Sequence, residues 1–348
     1  MLTYVKEYDY SELPGLQLVG RGPSEIDAHR DVSSLTDREA MGQPERYVPG
    51  DMEDMTMAFG RLSKMSVPEL LLIAESRDAV FGDRFAAGQL LALYGDPRIN
   101  SLHPVMVDIP AWSGLLGLNP AHIDEVVEAF EKYGVKRPWI EKESPEYFAA
   151  ISAFRMGKYP VTNQEYLAFL VDTGCGEIPS SWAFRQYPVH FANHPVYSLS
   201  SEACLQYASW LSLKTGRKFR LPTEGEWEYA AGGGRNEYPW GDVFVKDHAN
   251  TLETGIFQST PVGIFPKGNS PFGCADMAGN VEEYVADYYT GYQGQDAVRD
   301  DLVDINGRYR VARGGSFTRY RDLARCKRRH GPNPKAIYAM GFRLAEDV

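Results

Sequence analysis

Arg220-Leu221-Pro222-Thr223-Glu224-Gly225-Glu226-Trp227-Glu228-Tyr229-Ala230 decides the fold class. Thr223 and Glu226 stand at the spacing of a capping box, in which each side chain accepts a hydrogen bond from the other's backbone N–H. The stretch before them is extended, so a helix starts directly behind a strand. That helix carries Trp227 and Tyr229 and stops at Gly232-Gly233-Gly234. Large aromatics in such a helix are core residues before they are ligand contacts. A strand feeding a short aromatic helix predicts an α+β domain.

The same punctuation recurs upstream. Thr162-Asn163-Gln164-Glu165 is a second capping box, leading a helix that ends at Gly174, and Cys204 to Leu213 lies in a helix ended by Gly216. Asn119-Pro120 opens a helix that runs to Tyr133 and ends at Gly134. Val105 to Ile109 reads as a strand ended by Pro110, and Ala150 to Tyr159 as another. Ser66-Val67-Pro68-Glu69 caps one more helix, and a second from Asp83 stops at Gly95-Asp96-Pro97. Such a pair cannot bury its own apolar face, so it should dock on the rest. Residues 1–59 read as an N-terminal arm, 60–102 as a small helical appendage and 103–348 as the main domain. Beyond residue 234 short strands and Gly/Pro turns dominate.

Composition bounds the function. Lys and Arg number 36 and Asp and Glu 47, a formal charge of −11 over 348 residues. That balance excludes a nucleic-acid binder. No apolar run approaches the roughly 18 residues of a membrane span. No basic stretch followed by an apolar one opens the chain, and Cys175, Cys204, Cys274 and Cys326 are too scattered for a disulfide framework or a zinc finger. The expected compartment is the cytoplasm, and the expected partner a small molecule.

Further motifs follow one another in a fixed order. They are Met156-Gly157-Lys158-Tyr159-Pro160-Val161-Thr162-Asn163, Asn193-His194-Pro195-Val196, the stretch quoted first, Pro239-Trp240-Gly241-Asp242, Gly279-Asn280-Val281-Glu282-Glu283-Tyr284, Arg313-Gly314-Gly315-Ser316-Phe317 and Gly341-Phe342-Arg343. This series resembles the formylglycine-generating enzyme family, the sulfatase-modifying-factor domain, from about Met106 to the C-terminus. The resemblance implies a variant of the C-type-lectin fold with limited regular structure and bound calcium. The helical pair looks like a common companion of such domains.

Carried over residue by residue, the resemblance places one calcium on Asp276, Gly279, Val281 and Glu283, oxygen donors that suit a hard cation. A second would use Asn250 and Thr251. The family's copper is held by two cysteines after the Arg-Gly-Gly-Ser turn, a soft-ligand site. Here Arg319 and Ala324 occupy those positions. Copper through paired cysteines, and with it sulfatase activation, is therefore not expected. His190 and His194 have the spacing of a transition-metal pair but lie between prolines, and the H-x3-H lacks the following x-E of the iron-binding sulfoxide synthases.

Glu282 stands where the family carries Trp. It is either a salt-bridge partner for a nearby Arg or a new acid–base group. His330, near the Arg-rich segment, is a further acid–base candidate, with Arg319 as the third catalytic candidate. Arg321, Tyr320, Trp240 and Arg329 are candidates for binding a planar or anionic substrate. The same basic run could instead pair with the chain's many carboxylates. Two functions fit. One is an oxidation in small-molecule biosynthesis, on a heterocyclic or amino-acid-derived compound such as a toxoflavin-type azapteridine precursor. The other is a non-catalytic ligand- or protein-binding module.

Overall fold

The computed structural model describes residues 34–43, 55–293 and 295–348. Most of the expected arm, 1–33 and 44–54, lies outside them. The described residues hold nine strands: β1 (Met106–Ile109), β2 (Trp112–Leu116), β3 (Tyr147–Ile151), β4 (Phe154–Gly157), β5 (Phe219–Arg220), β6 (Glu282–Tyr288), β7 (Arg310–Arg313), β8 (Met340–Phe342) and β9 (Ala345–Asp347). They form an antiparallel sheet in the order β1-β4-β9-β5, a β2–β3 pair, and a β7-β6-β8 sheet in which β8 runs parallel to β6. With the intervening helices this is an α+β fold.

One expected strand divides. The segment from Ala150 to Tyr159 is β3 and β4, which belong to different sheets. Ser152 and Ala153 lie between them outside either ladder, where the chain leaves β2 and turns to pair with β1. Gly341 and Phe342 end β8, and β9 closes the chain against β4 and β5. Strand periodicity reports a pleat, not the identity of the neighbour.

The capped helices form as their sequences dictate. The helix Glu224–Gly232 starts on the Thr223–Glu226 box and ends at Gly233. The helix Asn163–Thr173 starts on the Thr162–Glu165 box and ends at Gly174. Trp227 and Tyr229 are buried, and Tyr229 stacks on Trp112 of β2 with centroids 4.7 Å apart. A second core joins Tyr166 and Phe169 to Tyr207 and Trp210 of the helix Ser201–Thr215 and to Phe342 of β8.

The helices Met55–Leu62, Val67–Ala74 and Phe81–Tyr94 pack on one another, and the first runs across the expected 59/60 boundary. They are bound into the main domain by polar contacts. Arg84 is buried and donates to the Ile264 carbonyl at 2.8 Å, and Asn193 donates to the Gly88 carbonyl and to Asp96. Phe81 and Phe85 pack with Ile264 and Phe265.

The second capping box has a pH signature. Burial pushes the Glu165 carboxyl up to about 7, against the two hydrogen bonds it accepts from Thr162. The folded protein thus holds a proton that the unfolded chain has already released. The stability this group contributes is full below the unfolded value of about 4.5 and is lost as pH rises through the folded one. Glu165→Gln keeps a carbonyl for Thr162 and cannot charge. Denaturant melts at pH 5 and pH 8 should show the wild type losing on the order of 2–3 kcal/mol more than the variant.

Candidate active site

β6 begins at Glu282, whose N–H donates to the Ala339 carbonyl beside β8. On the other side of the sheet, His330 forms an antiparallel bridge to Ala312 of β7. The ladder thus brings positions 48 residues apart in sequence into contact. His330 Nδ1 lies 2.5 Å from Glu282 Oε2. Arg319 Nε lies 3.5 Å from Glu282 Oε1. The Tyr338 ring lies against both partners: the Arg319 guanidinium is 4.0 Å from its centroid, and the His330 imidazole stacks on it within 14°.

Glu282 is fully buried. Burial acts to raise its carboxyl, but His330 and Arg319 outweigh it and hold the group below the usual carboxylate value. Burial keeps the His330 imidazole below its usual value, against the pull of Glu282. A carboxylate on Nδ1 fixes the proton there, which leaves Nε2 as the basic nitrogen. The arrangement suits a neutral general base at neutral pH.

His330 and Arg319 line a pocket with Tyr133, Trp139, Tyr320 and Tyr338. Tyr133 and Tyr320 stack at 4.8 Å, and among the described residues the buried Tyr320 hydroxyl has no hydrogen-bond partner. At the far side Lys142 pairs with Asp300 at 2.5 Å, and burial pushes its ammonium down to about 8. Ala40, from the expected arm, also lines this pocket. Sequence reading missed Tyr338, Trp139, Lys142 and Ala40, which belong to no motif and arrive from separate segments.

The expected catalytic trio of Glu282, His330 and Arg319 therefore converges. Of the expected substrate contacts, only Tyr320 lines the pocket. Arg321 donates to Glu253 and lies over Phe244. Arg329 grips Glu224 with two nitrogens and also donates to the carbonyls of Lys142 and Thr290. Trp240 stacks on Tyr238 and donates to the Val243 carbonyl. Most of the basic run is structural: Arg325 pairs with Glu143 and Glu237, and Arg328 with Asp322.

The expected metal positions have protein partners of their own. None of the four cysteines lines the pocket, and all are free. His194 has both ring nitrogens engaged, one near Gln89 and one near Ser259, while His190 is exposed. Glu283, expected as a calcium ligand, holds Arg343 through both oxygens and accepts from Trp227 Nε1. Asp276 accepts from the Gly263 N–H beside the Gly279–Val281 turn. Asn250 donates to the Gln258 carbonyl, and the Thr251 carbonyl accepts from Thr254. Among the described residues, no group of three or more His, Cys, Asp or Glu side chains could hold a metal ion.

Comparison with known proteins adds a lineage. The model of the sulfatase-modifying factor enzyme 1-like domain matches residues 120–348. Serine/threonine-protein kinase Pkn1 of Chlamydia trachomatis is 34% identical over 226 residues, covering 59% of this chain and 35% of that protein. Hercynine oxygenase of Mycolicibacterium thermoresistibile is 30% identical over 248 residues, covering 60% of this chain and 54% of that one. The chain thus spans between a third and about half of these relatives. The structure of PvdO from Pseudomonas aeruginosa superposes with a TM-score of 0.54 at 25% identity, covering 71% of this chain and 95% of that one. Among the described residues, no helix is long and apolar enough to cross a membrane.

Proposed function

The chain belongs to the sulfatase-modifying factor enzyme 1-like family, and from that footing we propose that it is an oxidoreductase of small-molecule biosynthesis working by acid–base chemistry. The observation that carries the reading is the 2.5 Å contact between His330 and a buried Glu282, at a pocket walled by aromatic rings. The substrate is a planar heterocycle or an amino-acid derivative, such as an azapteridine precursor of the toxoflavin type. Tyr133, Tyr320 and Tyr338 stack on it and Arg319 draws in its anionic edge. A relative named for oxygenating hercynine is in keeping with an oxygen-using enzyme.

His330 Nε2 takes the first proton, and Glu282 stabilises the imidazolium that forms. The resulting anion gives two electrons to dioxygen. Dioxygen takes up two protons in all and leaves as hydrogen peroxide, while the substrate leaves two hydrogens poorer. The base must be neutral, so turnover falls as pH drops through the His330 value, which lies below the usual ~6.5.

The test is oxygen uptake and peroxide release with a panel of nitrogen heterocycles. His330→Ala should lose turnover by about 100-fold or more. Glu282→Gln should bind substrate and turn it over slowly. In that variant the NMR titration of His330 should move further down, because the carboxylate that raised it is gone. A wild-type protein that binds a heterocycle tightly and consumes no oxygen would be a non-catalytic binding module instead.

A further inference from the structure

Lys142 lines the same pocket as His330 and Arg319 but has no part in the proton transfer assigned to His330. It directly follows the helix Arg137–Glu141, and its side chain is 1% exposed. Its ammonium faces Asp300 Oδ2 at 2.5 Å, the Tyr309 hydroxyl at 3.5 Å and the ring of Tyr289. Among the described residues, Asp300 is the one carboxylate paired with it. Asp300 is held in place by its other oxygen, which accepts from the Val303 N–H and caps the helix Asp301–Asn306.

Two guanidiniums crowd this ammonium. Arg329 donates to the carbonyl of Lys142 itself, and Arg328 to the carbonyls of Trp139 and Arg329. Their own carboxylates lie elsewhere: Arg329 sits on Glu224, and Arg328 near Asp322 and Glu143. Burial, helped by Arg328 and Arg329, brings the ammonium down to about 8 against the pull of Asp300. A lysine desolvated beside other cations is an activated nucleophile toward carbonyl groups. The pocket, of about 60 Å³, leaves room for a few water-sized groups.

We propose that Lys142 is a nucleophilic amine that forms an imine with a small carbonyl compound, an aldehyde or a keto acid, and that Asp300 carries the proton. Asp300 takes one proton from the ammonium, and the freed lone pair attacks the carbonyl carbon. A second proton passes from the nitrogen to the alkoxide. Asp300 returns its proton to the resulting hydroxyl, which leaves as water while the C=N bond closes, giving the protonated imine. The imine draws electrons from the adjoining carbon, whose C–H becomes a proton that His330 can take. That last step rests on the acid–base reading above, but the imine itself does not.

The test uses the full wild-type chain with glyoxylate, a small anionic aldehyde, and sodium cyanoborohydride at pH 8. Carboxymethyl groups left on lysines are mapped by peptide mass. Lys142 should be modified more than about tenfold faster than Lys214, whose ammonium is also paired but whose side chain is 43% exposed. Modification of Lys142 no faster than that of Lys214 overturns the proposal, and this result needs no variant. Asp300→Asn keeps a capping oxygen. In it the pH midpoint of the modification should move down, because the carboxylate that raised the ammonium is gone; an unchanged midpoint overturns the part given to Asp300. Fast modification of Lys142 in a protein whose His330→Ala variant keeps full turnover would sink the acid–base reading and keep the imine. No modification of Lys142, with His330→Ala inactive, sinks the imine and keeps that reading.

Discussion

Replacing Glu224 by Gln lowers folding stability by about 3–5 kcal/mol, because it leaves two buried guanidiniums short of a counter-charge. Glu224 sits in the first turn of the helix Glu224–Gly232. Its carboxylate accepts from Arg313 Nε at 3.1 Å and from Arg329 Nε and Nη2 at 2.8 Å each. The three side chains are no more than 7% exposed, so solvent screens little of the attraction. Glu228 still holds Arg313 at 2.8 Å, but nothing replaces the fork on Arg329. For a chain of this size the melting temperature should fall by roughly 10 °C.

The pH dependence follows with its own sign. Burial acts to raise the Glu224 carboxyl, but Arg329 and Arg313 together hold it below the ordinary value. The stability it contributes is present above the unfolded value and is lost as pH falls through the folded one. The gap between wild type and Glu224→Gln should therefore close in strong acid. Arg299→Ala breaks a pair that is 81% and 53% exposed and should stay within about 0.5 kcal/mol. A Glu224→Gln loss as small as that of Arg299→Ala would mean that the buried network does not stabilise the fold.

Replacing Gly279 by Ala should cost about 3 kcal/mol or more and disturb the site as well. Gly279 has φ +74°, which an L side chain adopts at a cost of roughly 1–2 kcal/mol. A Cβ there would stand 2.4 Å from the Asn250 carbonyl oxygen, a backbone atom that cannot swing away. That carbonyl accepts from the Asn280 N–H, and Gly279 itself donates to Gly314. Displacing the turn would move β6, which starts three residues later at Glu282. The His330–Glu282 contact should loosen with it. Gly174→Ala is the matched comparison: its φ is +68° and nothing lies within 4 Å of the added carbon. Melting curves of the two variants separate backbone strain from contact. Equal losses would show that the close approach to Asn250 costs nothing.

The helices were legible because their signals are local. A capping box spans four residues and its terminating glycine stands at the other end of the same helix, so Thr162–Glu165 and Thr223–Glu226 each announce a start without the rest of the chain. Trp227 could be placed in the core from its helix alone. Sheet membership was not legible in this way, since the pleat of residues 150–159 is the same whether they face one partner or two.

What the sequence by itself determined is the α+β class, the capped helices, and the types of residue gathered in the basic run. Which of those bases lines the pocket was decided only by the tertiary structure. Arg319, Arg321, Arg325 and Arg329 are the same residue type within eleven positions. Arg325 and Arg329 are buried on carboxylates from distant segments, Arg321 pairs with Glu253, and Arg319 is turned to the Glu282–His330 pair. The reason is that an ion pair is fixed by where two chains meet in space. The carboxylates opposite these guanidiniums are between 37 and 182 positions away, beyond the reach of any local pattern.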